Sequence, residues 1–130
     1  PQASFSHSLT LPSGIHCDPL RMGQLLSNLL GNAVTHGSIS TPILVQAYAE
    51  ANEIVISVTN QGPPIPAELM PLLFEPFTRS EAGHRGEGLG LGLYIAAQIA
   101  NAHHGSLSVT STLESGTCFV ARFPAQFKWL

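Results

Sequence analysis

Between residues 4 and 11, Phe5, His7, Leu9 and Leu11 alternate with small polar residues, and Pro12-Ser13-Gly14 ends the run. This period predicts an edge strand. Asp18 followed by Pro19 marks a helix start, with Asp as the N-cap and proline at the first helical position. From residue 20 to 36 the apolar positions take helical spacing, with Leu25, Leu26, Leu29, Leu30 and Ala33 on one face. Gly37 is placed to stop that helix as a glycine just past its last turn. Residues 43–49 and 53–59 read as two strands joined at Ala51-Asn52, the second with Ile54, Ile56 and Val58 on one side. A Gly/Pro-rich loop spans 60–66, a short helix 67–74, a loop 75–90 and a helix 91–104 closed by Gly105. Residues 107–112 and 117–123 form a terminal hairpin around Glu114-Ser115-Gly116. Strands arriving in pairs between helices argue against a doubly wound parallel sheet. They predict an α/β (α+β) two-layer sandwich, a mixed sheet with helices on one face.

Composition narrows the picture. A chain of 130 residues with 44% apolar and 10% charged residues is globular, with enough surface to bury for one stable domain. The net charge is −3 and the five Lys and Arg are scattered, so no basic stripe exists for a nucleic acid. An anion site has to be local and built partly from backbone N–H groups. Cys17 and Cys118 are far apart and form no C-x-x-C, which favours reduced core thiols over a disulfide. No apolar run reaches the length of a membrane span and no leader pattern opens the chain. The expectation is a cytoplasmic fragment of a larger protein, with no membrane contact of its own.

Four segments carry chemistry. In Gly86-Glu87-Gly88-Leu89-Gly90-Leu91-Gly92, glycines alternate at the opening of a helix, where free N–H groups and the helix dipole attract phosphate. The pattern is neither a Walker A loop nor a Rossmann fingerprint. Asn28 and Asn32, four apart, put two carboxamides on one helix face beside the apolar stripe; carboxamide oxygens suit Mg2+ shared with phosphate and water. Asn60-Gln61-Gly62-Pro63-Pro64-Ile65-Pro66 follows a strand directly, which places a polar residue at a sheet edge. Leu73-Phe74-Glu75-Pro76-Phe77 reads as a hydrophobic anchor for the loop after it.

Together these segments resemble the ATP-binding catalytic domain of sensor histidine kinases over about residues 15–124. Asp18, Arg21, Gln24, Asn28 and Asn32-Ala33 resemble the N box. Residues 60–66 resemble the G1 box, 73–77 the F box and 86–91 the G2 box, with Gly116-Thr117 in place of the last Gly-Thr motif. The resemblance implies the Bergerat fold, shared with gyrase, Hsp90 and MutL, and a single catalytic domain over residues 1–130. It implies binding of Mg-ATP and transfer of the γ-phosphoryl to a histidine on a separate dimerisation domain of the same parent, with a response regulator downstream. Asn32 would coordinate Mg2+ and Asn28 would assist. Gly86, Gly88, Leu89, Gly90 and Leu91 would hold phosphates. Residues 75–90 would form a mobile ATP lid anchored by Phe74 and Phe77. Asn60, Gly62, Ile65, Thr117 and His36 would surround adenine.

Three positions depart from the family pattern. Asn60 stands for the adenine-reading Asp, Pro64 for a glycine and Thr35 for a frequent lysine, with Arg79, His84 and Arg85 as candidates to replace its charge. His7 superficially resembles a phosphoacceptor histidine, but no acidic residue follows it, and it reads as a strand residue. His16, His103 and His104 read as loop and helix-end residues. Two other functional classes stay open. One is an ATP-hydrolysing switch of the Hsp90 or MutL type, which has a Glu where Asn28 stands. The other is a degenerate, non-catalytic nucleotide-binding module.

Overall fold

The computed structural model describes residues 5–10, 19–37, 41–76 and 91–124. Its elements are β1 (Phe5–Thr10), α1 (Pro19–His36), β2 (Ile43–Glu50), β3 (Glu53–Asn60), a 3-10 helix (Ala67–Leu72), α2 (Gly92–Ala102), β4 (Ser106–Thr112) and β5 (Gly116–Pro124). The sheet runs β1-β2-β3-β5-β4. β1 lies at one edge parallel to β2, and the other neighbours are antiparallel. A parallel pair cannot close through a tight turn, and α1 is the crossover between β1 and β2.

Both helices pack on one face. The core joins Leu25, Leu29 and Ala33 of α1 and Ala96, Ile99 and Ala100 of α2 to Ile43, Ile54, Val58, Phe119, Ala121 and Phe123 of the sheet. This is the two-layer sandwich that the strand and helix order predicts. Val45 opposite Val58, and Phe119 opposite Val58 on the other side, set the register, because residues directly across a ladder share a face. On the opposite face Arg122 reaches Glu53 at 3.4 Å and Glu50 at 3.8 Å, with all three side chains about half exposed. Such pairs contribute little to stability.

Local expectations needed correction where tertiary contact decides. Gly37 does not adopt a left-handed cap: among described glycines only Gly62 and Gly116 have positive φ. Its N–H donates to the Ala33 carbonyl at 2.8 Å, continuing the helical pattern. The left-handed residue that ends α2 is His104, at φ 62°, rather than Gly105. The Gly105 N–H closes back on the Ala100 carbonyl at 2.8 Å and His104 N–H on Asn101 at 3.0 Å, a Schellman closure. His103 is a core residue, 4% exposed, not a polar helix end. Its Nδ1 donates to the Ile99 carbonyl at 2.9 Å and its ring lies 6.1 Å from that of Phe123. Cys118 is a half-buried free thiol on the sheet face away from the helices, since it pairs with Thr59 and Thr110. The helix expected at 67–74 is a 3-10 turn ending at Leu72 with Pro71 inside it.

Candidate functional site

One end of the helix-covered sheet face is polar. Asn60, the last residue of β3, pairs with Thr117 of β5, which pairs in turn with Ser111 of β4. The three therefore form a row across the sheet, on the same face as Val58, Phe119 and Val109. Asn60 and Thr117 are 4% and 5% exposed. Buried polar groups need partners, and the row supplies them. Asn60 Nδ2 donates to the Gln61 carbonyl at 3.2 Å. The Ser111 and Thr117 hydroxyls meet at 2.6 Å, and the Ile65 N–H donates to Ser111 Oγ at 2.8 Å. Asn60 Oδ1 is thus the atom of that side chain set to accept a bond from a ligand.

The end of α1 lies directly on this row. A Cβ on Gly37 would sit 2.9 Å from Asn60 Cβ and 2.6 Å from the Ala33 carbonyl oxygen, so the glycine permits a contact that any side chain would block. Asn32 is five residues earlier on α1 and Asn28 nine, about 7.5 and 13.5 Å along the helix axis. Both are half-buried. Asn28 Nδ2 is buried and has no hydrogen-bond partner among the described residues. His36, in the last turn of α1, is exposed.

The loop after β3 carries Gly62 at φ 140° and half-buried Ile65 against the core. Phe74 packs edge-on against Phe119, with ring centroids 6.1 Å apart and planes at 71°. α2 has Leu91 at its N-cap, with no side-chain cap among the described residues and no acidic residue in its first turn, so this helix end favours an anion. Phe77, Arg79, His84, Arg85, Gly86, Gly88, Leu89 and Gly90 lie outside the described residues, as do Cys17 and His16. No cluster of three His, Cys, Asp or Glu side chains able to hold a metal occurs among the described residues. None of their helices is long and apolar enough to cross a membrane.

Residues 17–126 match the family of histidine kinase-, DNA gyrase B- and HSP90-like ATPases. The chain belongs to this family. It is 40% identical over 114 residues to the signal transduction histidine-protein kinase AfsQ2 of Streptomyces coelicolor, a match covering 85% of this chain and 21% of that protein. It is 39% identical over 110 residues to the sensor histidine kinase CusS of Escherichia coli, covering 83% of this chain and 23% of the relative. The chain thus spans between a fifth and a quarter of their length. Its structure superimposes on the mycobacterial sensor histidine kinase MprB with a TM-score of 0.78 at 28% identity, covering 92% of this chain and 83% of that one. The catalytic domain of the histidine kinase ThkA gives 0.76 at 28% identity, covering 93% and 79%. The architecture is therefore the Bergerat ATP-binding fold of histidine kinase ATPase domains.

Sequence reasoning singled out Asn28, Asn32, Asn60, Ile65, Phe74 and Thr117. It missed Ser111, which looked like any hydroxyl in the alternating stretch of β4. It also missed the Gln61 side chain, whose Nε2 donates to the Ser115 carbonyl at 3.3 Å.

Proposed function

We propose that this chain binds Mg-ATP and presents the γ-phosphoryl to a histidine on a separate dimerisation domain, the catalytic half-reaction of two-component signalling. The observation that carries the reading is the polar row Asn60, Thr117 and Ser111 at one end of the helix-covered sheet face, touched by the end of the helix that carries Asn28 and Asn32. Asn28 and Asn32 lie four apart on the helix whose end touches Asn60, and their carboxamides are suited to a phosphate chain and its cation. The base would lie against Asn60, Ile65 and Thr117, with His36 and Gly62 at its margin. The triphosphate would run along α1 past Asn32 toward Asn28 and the start of α2 at Leu91.

The donor set fits a hard cation held jointly with a ligand: Asn28 and Asn32 carry carboxamide oxygens, a hard donor type, four residues apart on α1. Asn32 would hold Mg2+, which supplies charge neutralisation on the phosphates. Phosphoryl transfer asks little covalent chemistry of the protein. The acceptor imidazole nitrogen bonds to the γ-phosphorus, the bond to the β-phosphate oxygen breaks, and ADP leaves. The chain's part is to fix the donor in line and to shield the developing charge with N–H groups. Residues 77–90, with Phe77, Arg79, Arg85, Gly86, Gly88, Leu89 and Gly90, complete that role on the sequence reading. A hydrolytic switch needs a general base for water, and a carboxamide at Asn28 cannot serve as one.

The test is calorimetric titration with ATP, with and without Mg2+, on the parent chain and Asn32→Ala. The parent should bind in a Mg2+-dependent manner. The variant should lose that binding while its urea unfolding midpoint stays near the parent's, because Asn32 is half-buried beside the core rather than in it. A variant that binds Mg-ATP like the parent removes Asn32 from the metal.

A further inference from the structure

The loop that follows β3 has almost nothing of its own to hold it. Pro63, Pro64 and Pro66 have no N–H. Ile65 therefore owns the one backbone donor between residues 63 and 66, and it gives that donor to Ser111 Oγ, 46 residues away, at 2.8 Å. The start of the same loop is tied to the same hairpin: Gln61 Nε2 donates to the Ser115 carbonyl at 3.3 Å. Gly116, at φ 82°, presses against the Asn60 carbonyl and the Gln61 side chain, where a Cβ would collide with both. The β4–β5 hairpin thus grips both ends of the loop.

Ser111 sits at the junction. One lone pair accepts from Ile65, and the hydroxyl also meets Thr117 Oγ1 at 2.6 Å. Two hydroxyls sharing one short bond leave a single hydrogen to give elsewhere. Whichever donates, the Thr117 hydroxyl cannot turn independently of Ser111.

We infer that Ser111 is the positioning residue of the base-binding wall: through one hydroxyl it holds the Ile65 backbone and orients Thr117 beside Asn60. This rests on the nucleotide reading given above and adds to it a residue that touches the wall rather than the ligand. Its effect falls on the base and not on the phosphates, which lie along α1. Losing the Ser111 hydroxyl leaves the Ile65 N–H unsatisfied and frees both the loop and Thr117.

The experiment measures Mg-ATP, Mg-GTP and Mg-tripolyphosphate binding by calorimetry on the parent, Ser111→Ala and Ser111→Thr, with thermal unfolding of each. Ser111→Ala should weaken ATP about tenfold, the scale of losing a part-buried hydrogen bond, and narrow the ATP-to-GTP ratio. Tripolyphosphate, which has no base, should bind both chains alike. Ser111→Thr keeps the hydroxyl and should restore ATP affinity and the base ratio. If Ser111→Ala loses ATP and tripolyphosphate equally, or if Ser111→Thr fails to restore the ratio while melting like the parent, the residue supports the fold alone and the inference fails. If the parent binds tripolyphosphate but shows no base preference, the wall assignment falls while the phosphate site stands. A parent chain that binds none of the three overturns the nucleotide reading and this inference with it.

Discussion

Asn60 shows what a single substitution at a binding wall changes. A carboxylate there only accepts hydrogen bonds, whereas a carboxamide can turn and donate to the carbonyl of guanine. The structure restrains that turn. Nδ2 already donates to the Gln61 carbonyl at 3.2 Å, and rotating the amide would set Oδ1 against that same oxygen. On the proposed pose, adenine preference in the parent should therefore survive the loss of the charge, and the gain from restoring it should be modest. Asn60→Asp is expected to tighten ATP relative to GTP by about 1 kcal/mol, roughly fivefold, at the low end for a bond gaining a charged acceptor. Competition titrations of both nucleotides against parent and variant measure it. An unchanged or reversed ratio means Asn60 does not face the base. Asn28, Asn32 and Asn60 stood out in the sequence because helix spacing and strand ends are local properties, whereas Thr117 was singled out only through the resemblance to the family. Ser111 was not, because its significance depends on a backbone donor arriving from 46 residues away.

At the scale of elements, the pattern of apolar residues located both helices and all five described strands, because burial of one face dictates the period. What it misjudged was how elements end. Gly37 and Gly105 both read as helix-stopping glycines, yet neither has positive φ. Each is glycine because another chain segment comes too close for a Cβ: Asn60 at Gly37, and the Arg122 carbonyl and Phe123 at Gly105. No local rule can anticipate a partner tens of residues away. The Gly37 contact has a measurable consequence, since it joins the end of α1 to the base wall. Gly37→Ala should destabilise the fold by about 1–3 kcal/mol, as overpacking does, read as a lower urea midpoint. It should also weaken ATP more than tripolyphosphate, because the added methyl pushes on Asn60 and not on Asn28 or Asn32. Equal loss of both ligands would show that the methyl distorts the whole helix.

For the whole molecule, the question is whether one chain holds both donor and acceptor of the phosphoryl group. Four of the six histidines are described, and each has a place that does not suit an acceptor. His7 lies within β1, its backbone paired in register with Val45 of β2. His103 is buried against Phe123 with Nδ1 on the Ile99 carbonyl. His104 occupies the left-handed turn that closes α2, and His36 ends α1 beside the proposed base wall, about two helical turns from Asn28. An acceptor has to reach the γ-phosphorus, and on the proposed pose that atom lies toward Asn28 and the start of α2, away from His36. The sequence around His7 pointed the same way, since it lacks the acidic neighbour of a phosphoacceptor. The expected outcome is that this chain, incubated with γ-labelled Mg-ATP, gains no acid-labile, base-stable label on its own. A histidine-bearing helical dimerisation domain from the same parent, added in trans, should become labelled instead, and Asn32→Ala should abolish that transfer. Stable label recovered on His7 or His36 of the isolated chain would mean that the donor and acceptor share one domain, and the division of labour proposed for this molecule would be wrong.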